Sequence, residues 1–224
     1  MWPRLKPALA LILLAPLIAE YLLGSLSFNQ LPLFPIMVLI YGAGALLVRE
    51  VTRRSGRGWP TILALGLAYG IIEEGLATQS LFNPHYLGLR LLDYGFIPAL
   101  GLGGPWTVYV VILHVAWSIA VPIALVESLF PSQRTSPWLG KIGLTVTGVV
   151  YVLGVTVVGF GTWTKEHFTA SRPQLAITAL VAVLAIAGAF VLFKPGRAAP
   201  AGPRSGDRRL GTRPIPARKA KSAK

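Results

Sequence analysis

The 224-residue sequence contains no cysteine, which removes disulfides, thiolate metal sites and a cysteine nucleophile from consideration. Charge is also scarce: 13% of residues are Asp, Glu, Lys or Arg, where a soluble domain carries roughly 25%. A chain so poor in charge cannot cover a large water-facing surface, and 54% hydrophobic residues with a mean hydropathy of +0.63 point to an integral membrane protein. Histidine is limited to His85, His114 and His167, and the acids number only 8. No internal repeat is visible, so an inverted-repeat transporter gains no support.

Bases are what the sequence has in excess. The 21 Lys and Arg give a formal charge of +13 and a pI near 10.6, but they concentrate after Lys194. Residues 195–224, "PGRAAPAGPRSGDRRLGTRPIPARKAKSAK", are rich in Pro, Gly, Ala and Arg and lack apolar periodicity, so a disordered basic tail is expected there. Beside a bilayer such a tail is drawn to anionic lipid, and no nucleic-acid partner is expected.

A helix needs roughly 20 apolar residues to cross a hydrocarbon core of about 30 Å. Six such runs are found, near 7–24, 31–49, 60–80, 105–129, 141–162 and 174–193. They predict an all-α, six-pass bundle over residues 1–194. Among the Lys and Arg, only Arg90, Lys165 and Arg172 fall on the side opposite the rest, so the positive-inside rule puts both termini in the cytoplasm of a cell membrane, such as a bacterial inner membrane. The first run follows Arg4 and Lys6 like a signal sequence. Glu20 and Tyr21 stand where a small-residue cleavage site would be, so it reads as a retained helix. Residues 81–104 are too polar to span and too apolar for a solvated loop. They read as an interfacial segment with Phe82, Tyr86, Tyr94 and Phe96 at headgroup level, or as a lid over a cavity.

An acid at the bilayer centre costs about 2.5 to 3.5 kcal/mol, and such residues usually mark function. Glu20, Glu73, Glu74 and Glu127 fall in the predicted spans. Glu127 reads as an exposed helix end and Glu20 as near the outer end of its helix. Glu73 and Glu74, in "GIIEEGLATQS", lie about 9 to 11 Å below Ser80 at about 1.5 Å per residue, too deep to reach water simply. Glu73 continues the small-residue stripe Gly66, Gly70, Ala77, which should face a neighbouring helix, and Glu74 lies about 100° round. Two adjacent carboxyls away from water favour one protonated and one ionised form, the condition for acid/base work. In the fourth span His114 lies about 13 Å from its outer end, level with the glutamates, with Ser118 one turn on. Pro122 below it should kink the helix and open space.

Glu73-Glu74-x-x-x-Thr78, then Val110-x-x-x-His114, then His167-x-x-x-Ser171 resembles the motif order of the CPBP family, the CAAX protease and bacteriocin-processing group of intramembrane glutamic proteases. That family has E-E-x-x-x-R, F-x-x-x-H and H-x-x-x-N, so Thr78 stands for the arginine, Val110 for the phenylalanine and Ser171 for the asparagine. The resemblance covers roughly residues 45–175. It implies metal-independent hydrolysis of a membrane-anchored peptide without a cofactor. Glu73 or Glu74 would be the general base, with His114, and His167 more weakly, polarising the carbonyl. Thr78, Ser118 and Glu20 are further cavity candidates. The alternative is a non-enzymatic membrane protein whose polar cavity handles protons or a small cation, or a scaffold held together by these polar residues.

Overall fold

The apolar runs set the architecture because backbone N–H and C=O groups in hydrocarbon must be satisfied within the segment, and a helix does this. The computed structural model describes residues 2–196; the basic tail expected over 195–224 lies, from residue 197 on, outside the described residues. Within them are six helices long and apolar enough to cross a membrane: α1 Leu5–Leu22, α2 Phe28–Arg54, α3 Trp59–Ala77, α4 Gly104–Leu129, α5 Lys141–Glu166 and α6 Arg172–Val191. The expected all-α, six-span bundle is thus found. Its boundaries differ in ways that matter for the site. Helix α3 stops at Ala77 instead of Ser80, and α2 runs on to Arg54 because its arginines find buried partners.

Helix α3 is central: 61% of its most apolar window is buried, against 11% for α5 and 17% for α6, whose outward faces are left for lipid. It packs on α4 and α6, while α2 packs on α1 and α5. Where these helices meet, the chain uses glycine, since membrane helices associate through close backbone approach more than through hydrophobicity. A Cβ on Gly70 would stand 3.1 Å from His114 Cβ and 3.2 Å from the Val111 carbonyl oxygen. One on Gly154 would stand 2.6 Å from the Leu39 carbonyl carbon, so α5 seats directly on the α2 backbone. Leu11, Ile40, Leu46, Ile62, Ile119 and Ile123, all buried, fill the middle of the bundle.

The end of the bundle that carries the α2–α3 and α4–α5 connections is closed by a buried charge network. Glu127 is buried, not an exposed helix end as its position in the sequence suggested: its carboxylate accepts from Arg49 Nε at 3.2 Å and from Arg53 Nη2 at 2.6 Å. Arg49 also donates to Glu50 and to the carbonyls of Gln133 and Arg134, and its guanidinium lies 3.4 Å over the Trp138 ring. Glu50, missed in the sequence as a membrane-embedded acid, accepts from the backbone N–H groups of Trp138 and Leu139. Every charge here has a partner, which is the condition for keeping charges out of water.

The opposite end carries residues 81–103. Their first part turns inward, with Leu81, Phe82 and Asn83 buried, so Phe82 is a core residue and not a headgroup anchor. The second part is a two-stranded antiparallel hairpin, β1 Phe96–Ile97 and β2 Leu102–Gly103, with Tyr94 and Phe96 exposed.

Candidate functional site

Four of the six helices contain one stretch of π-helix: Leu17–Leu22 in α1, Val38–Gly42 in α2, Glu73–Ala77 in α3 and His114–Ala120 in α4. These widened turns carry Glu20, Tyr41, Glu73 with Glu74, and His114 with Ser118 respectively. A π turn reduces the angle between successive side chains and commonly marks functional positions. This is why Glu73 and Glu74, expected about 100° apart, both reach one imidazole. In α3 the widening is closed by the Thr78 N–H donating to the Glu73 carbonyl at 2.8 Å. In α4 it ends at Ala120, two residues before Pro122, which has no N–H to continue the ladder. After α3, Gln79 takes a left-handed conformation, φ 55°, and its side chain accepts from the Ala170 N–H at 2.7 Å. That reversal returns Ser80 to the carboxylate of Glu74.

His114 is the hub. Its Nε2 is 2.7 Å from Glu74 Oε1, and its Nδ1 is 2.9 Å from Ser118 Oγ and 3.4 Å from Glu73 Oε2. The other Glu74 oxygen accepts from Thr78 Oγ1 at 3.1 Å and from Ser80 Oγ. Both donors to this oxygen are thus neutral hydroxyls. Glu73 is 2% exposed, yet its Oε2 has no hydrogen-bond partner. Tyr41 reaches the carboxylates of both Glu20 and Glu73. Tyr69 turns its hydroxyl toward Glu73 without closing a well-formed hydrogen bond. The ring of Tyr41 stacks on that of His114, 6.1 Å between centroids, and Tyr69 tilts against it at 5.9 Å. Gly70 makes room for this by letting the α4 backbone come close.

A cavity of about 530 Å³ opens onto the cluster, lined among others by Glu20, Glu73, Glu74, Thr78 and His114. Tyr86 and Leu87 of the connection between α3 and α4 form part of its wall, with the Leu87 N–H bonded to Glu166 Oε2 at 3.0 Å. Burial pushes the Tyr86 hydroxyl well above its ordinary range, and the carboxylates of Glu74, Glu73 and Glu166 push it further, so it stays a neutral donor. Ser118 is buried behind His114.

His167 is not brought to this site. It ends α5 in a left-handed conformation, φ 51°, and is exposed. Its partner in the resembled motif, Ser171, accepts from the Gln174 N–H as the N-cap of α6. The third motif element is thus helix punctuation here, and it leaves the cluster to Glu73, Glu74 and His114. Tyr41, Tyr69 and Ser80 are the participants that the sequence did not single out. Tyrosine in an apolar run carries no charge penalty to flag it, and Ser80 depends on the Gln79 reversal.

The profile of an uncharacterized membrane protein family matches residues 9–203, most of the chain. The chain belongs to this uncharacterized membrane protein family. As one of its members it is a multi-pass protein of the lipid bilayer, and the matched stretch contains the complete Glu73, Glu74 and His114 cluster. The family match is to a membrane protein and carries no peptidase description. No curated protein and no solved structure matches the chain.

Proposed function

We propose that the protein is a membrane-embedded hydrolase that cleaves a peptide bond in a membrane-anchored substrate, a divergent relative in chemistry of the glutamic intramembrane peptidases its motifs resemble. One observation carries the reading: a buried carboxylate oxygen, Glu73 Oε2, is without a hydrogen-bond partner at 3.4 Å from an imidazole, on the wall of a cavity of about 530 Å³. A buried acceptor left open costs about 1–3 kcal/mol or more, so its retention at a cavity fits a role in which water or substrate completes it.

In this scheme a cavity water lies within reach of Glu73 Oε2 and His114. Glu73 takes a proton from it as the water oxygen bonds to the scissile carbonyl carbon and the C=O electron pair moves onto oxygen. His114, held at Nε2 by Glu74, turns its Nδ1–H from Ser118 to that oxyanion, since Nδ1 is the ring nitrogen beside Glu73 Oε2. Glu73 then returns the proton to the amide nitrogen as the C–N bond breaks, leaving a carboxylic acid and an amine. No cofactor enters the scheme. The bilayer of a cell membrane, of the bacterial inner-membrane kind with both termini cytoplasmic, supplies the anchored substrate, and the basic tail rests on anionic lipid.

The test is cleavage of membrane-anchored peptides by the full chain in lipid vesicles. Glu73→Gln and His114→Ala should each lower the rate by about 10²–10⁴, with the melting temperature retained. If the unmodified protein cleaves nothing but conducts protons, and Glu73→Gln stops the flux, the hydrolase reading fails and the cavity handles protons instead.

A further inference from the structure

The three side chains of the cluster also satisfy the requirements of a metal centre. We infer that Glu73, Glu74 and His114 bind one first-row divalent cation of the Zn²⁺ type, with the fourth position open to the cavity. The inference uses the same residues as the proposed hydrolysis but does not depend on it.

One donor atom from each residue lies within 4.8 Å of the other two. Ligands held at about 2.0–2.1 Å around a tetrahedral ion stand about 3.4 Å apart. Glu74 Oε1 is 2.7 Å from His114 Nε2, whereas Glu73 Oε2 is 3.4 Å from the other ring nitrogen, Nδ1, so an ion on Nε2 fits once Glu74 opens by tenths of an ångström and the Glu73 carboxylate swings toward Nε2. Independent of the spacing, Glu73 Oε2 is buried, unpartnered and directed into the cluster. The supporting contacts are those metal ligands use. With Nε2 on the metal, the Nδ1–H donates to Ser118 Oγ at 2.9 Å and fixes the tautomer. The second oxygen of Glu74 is held by Thr78 and Ser80. The cavity supplies the entry path.

The donor set selects the ion. One imidazole and two carboxylates suit Zn²⁺ and its neighbours, whereas Ca²⁺ takes 6–8 oxygens and Mg²⁺ about six, more than these residues provide. A divalent cation also neutralises two carboxylates that water cannot reach freely.

The test is equilibrium binding of Zn²⁺ to the full chain, stripped with chelator, in detergent or nanodiscs. One saturable ion per chain is expected. Glu73→Gln and His114→Ala should lower its affinity by at least about tenfold, Ser118→Ala by about 10–100-fold, and His85→Ala and His167→Ala not at all. Should a cluster variant fail to fold, the visible spectrum of Co²⁺ on the unmodified protein reports the same point, with a four-coordinate signature expected. No saturable site, binding that survives the cluster changes but is lost with His85 and His167, or an octahedral Co²⁺ spectrum overturns the inference. These readouts need no substrate. Cleavage that persists in chelator leaves the metal-free hydrolysis standing whatever the binding shows.

Discussion

At the residue scale the reactive arrangement depends on how one imidazole is shared. His114 faces two carboxylates and a serine, and Ser118 is the partner with no other hydrogen bond among the described residues. Its loss in Ser118→Ala should leave the ring free to turn away from Glu73. A hydrogen bond of this kind contributes about 0.5–1.5 kcal/mol, so kcat should fall roughly three- to tenfold with KM little changed, measured on the same anchored peptide. Thr78→Val removes one of two hydroxyls from Glu74 Oε2, and with it the acceptor of the Ser80 N–H, leaving the Ser80 hydroxyl as the remaining donor. Its effect on cleavage should be smaller than that of Ser80→Ala, because Thr78 Oγ1 also bonds the Glu73 carbonyl and is only partly committed to the carboxylate. Equal losses in the two variants would show that Ser80 is not the dominant partner of Glu74 Oε2. The acids and the histidine were legible in the sequence because charge in an apolar run is costly and so stands out. Tyr41 and Tyr69 were not, because their rings are at home in hydrocarbon and only their hydroxyls, unseen in a hydropathy pattern, belong to the site.

At the element scale the site is made by helices that depart from α geometry and by the glycines that let them approach. The sequence puts Gly70 on a stripe that should face a neighbouring helix, and in the structure it packs against Val111 and His114 of α4. The sequence did not show the π turns, because helices apolar on most of their surface have no pattern for a hydrogen bond to i−5 to shift; Pro122 stands just after the widened turn of α4. Gly70→Val should push α4 away and separate His114 from Glu74. Overpacking of this sort costs about 1–3 kcal/mol, and the variant should lose cleavage before it loses its fold, seen as a rate loss at a temperature where its circular dichroism is unchanged. Gly154→Leu, far from the cluster chemically but seated on the Leu39 carbonyl, should instead lower the unfolding midpoint directly.

On the scale of the whole molecule, the bundle puts a water-accessible cavity with acids at one end and a closed charge network at the other. The network accounts for the one acid whose position in the sequence misleads. Glu127 lies near the inner end of its span, where an exposed helix end is expected, but it is buried against Arg53 and Arg49, the latter fully buried and shared among Glu50, Glu127 and two carbonyls. Arg49→Met would leave Glu127 to Arg53 alone and Glu50 with backbone N–H donors but no counter-charge; breaking a buried pair costs about 3–5 kcal/mol, so the midpoint of denaturant unfolding in detergent should drop sharply. A variant as stable as the unmodified protein would show that the network is dispensable. In the proposed hydrolysis Glu73 Oε2 is the group that activates water. The most direct measurement is peptide cleavage in ¹⁸O-labelled water, read by mass spectrometry, for the full chain and for Glu73→Gln in the same vesicles. The unmodified protein should place one ¹⁸O in each new carboxyl end, and the variant, equally folded, should yield about 10²-fold less labelled product or lower still. Labelled product forming as fast with glutamine at position 73 would contradict it.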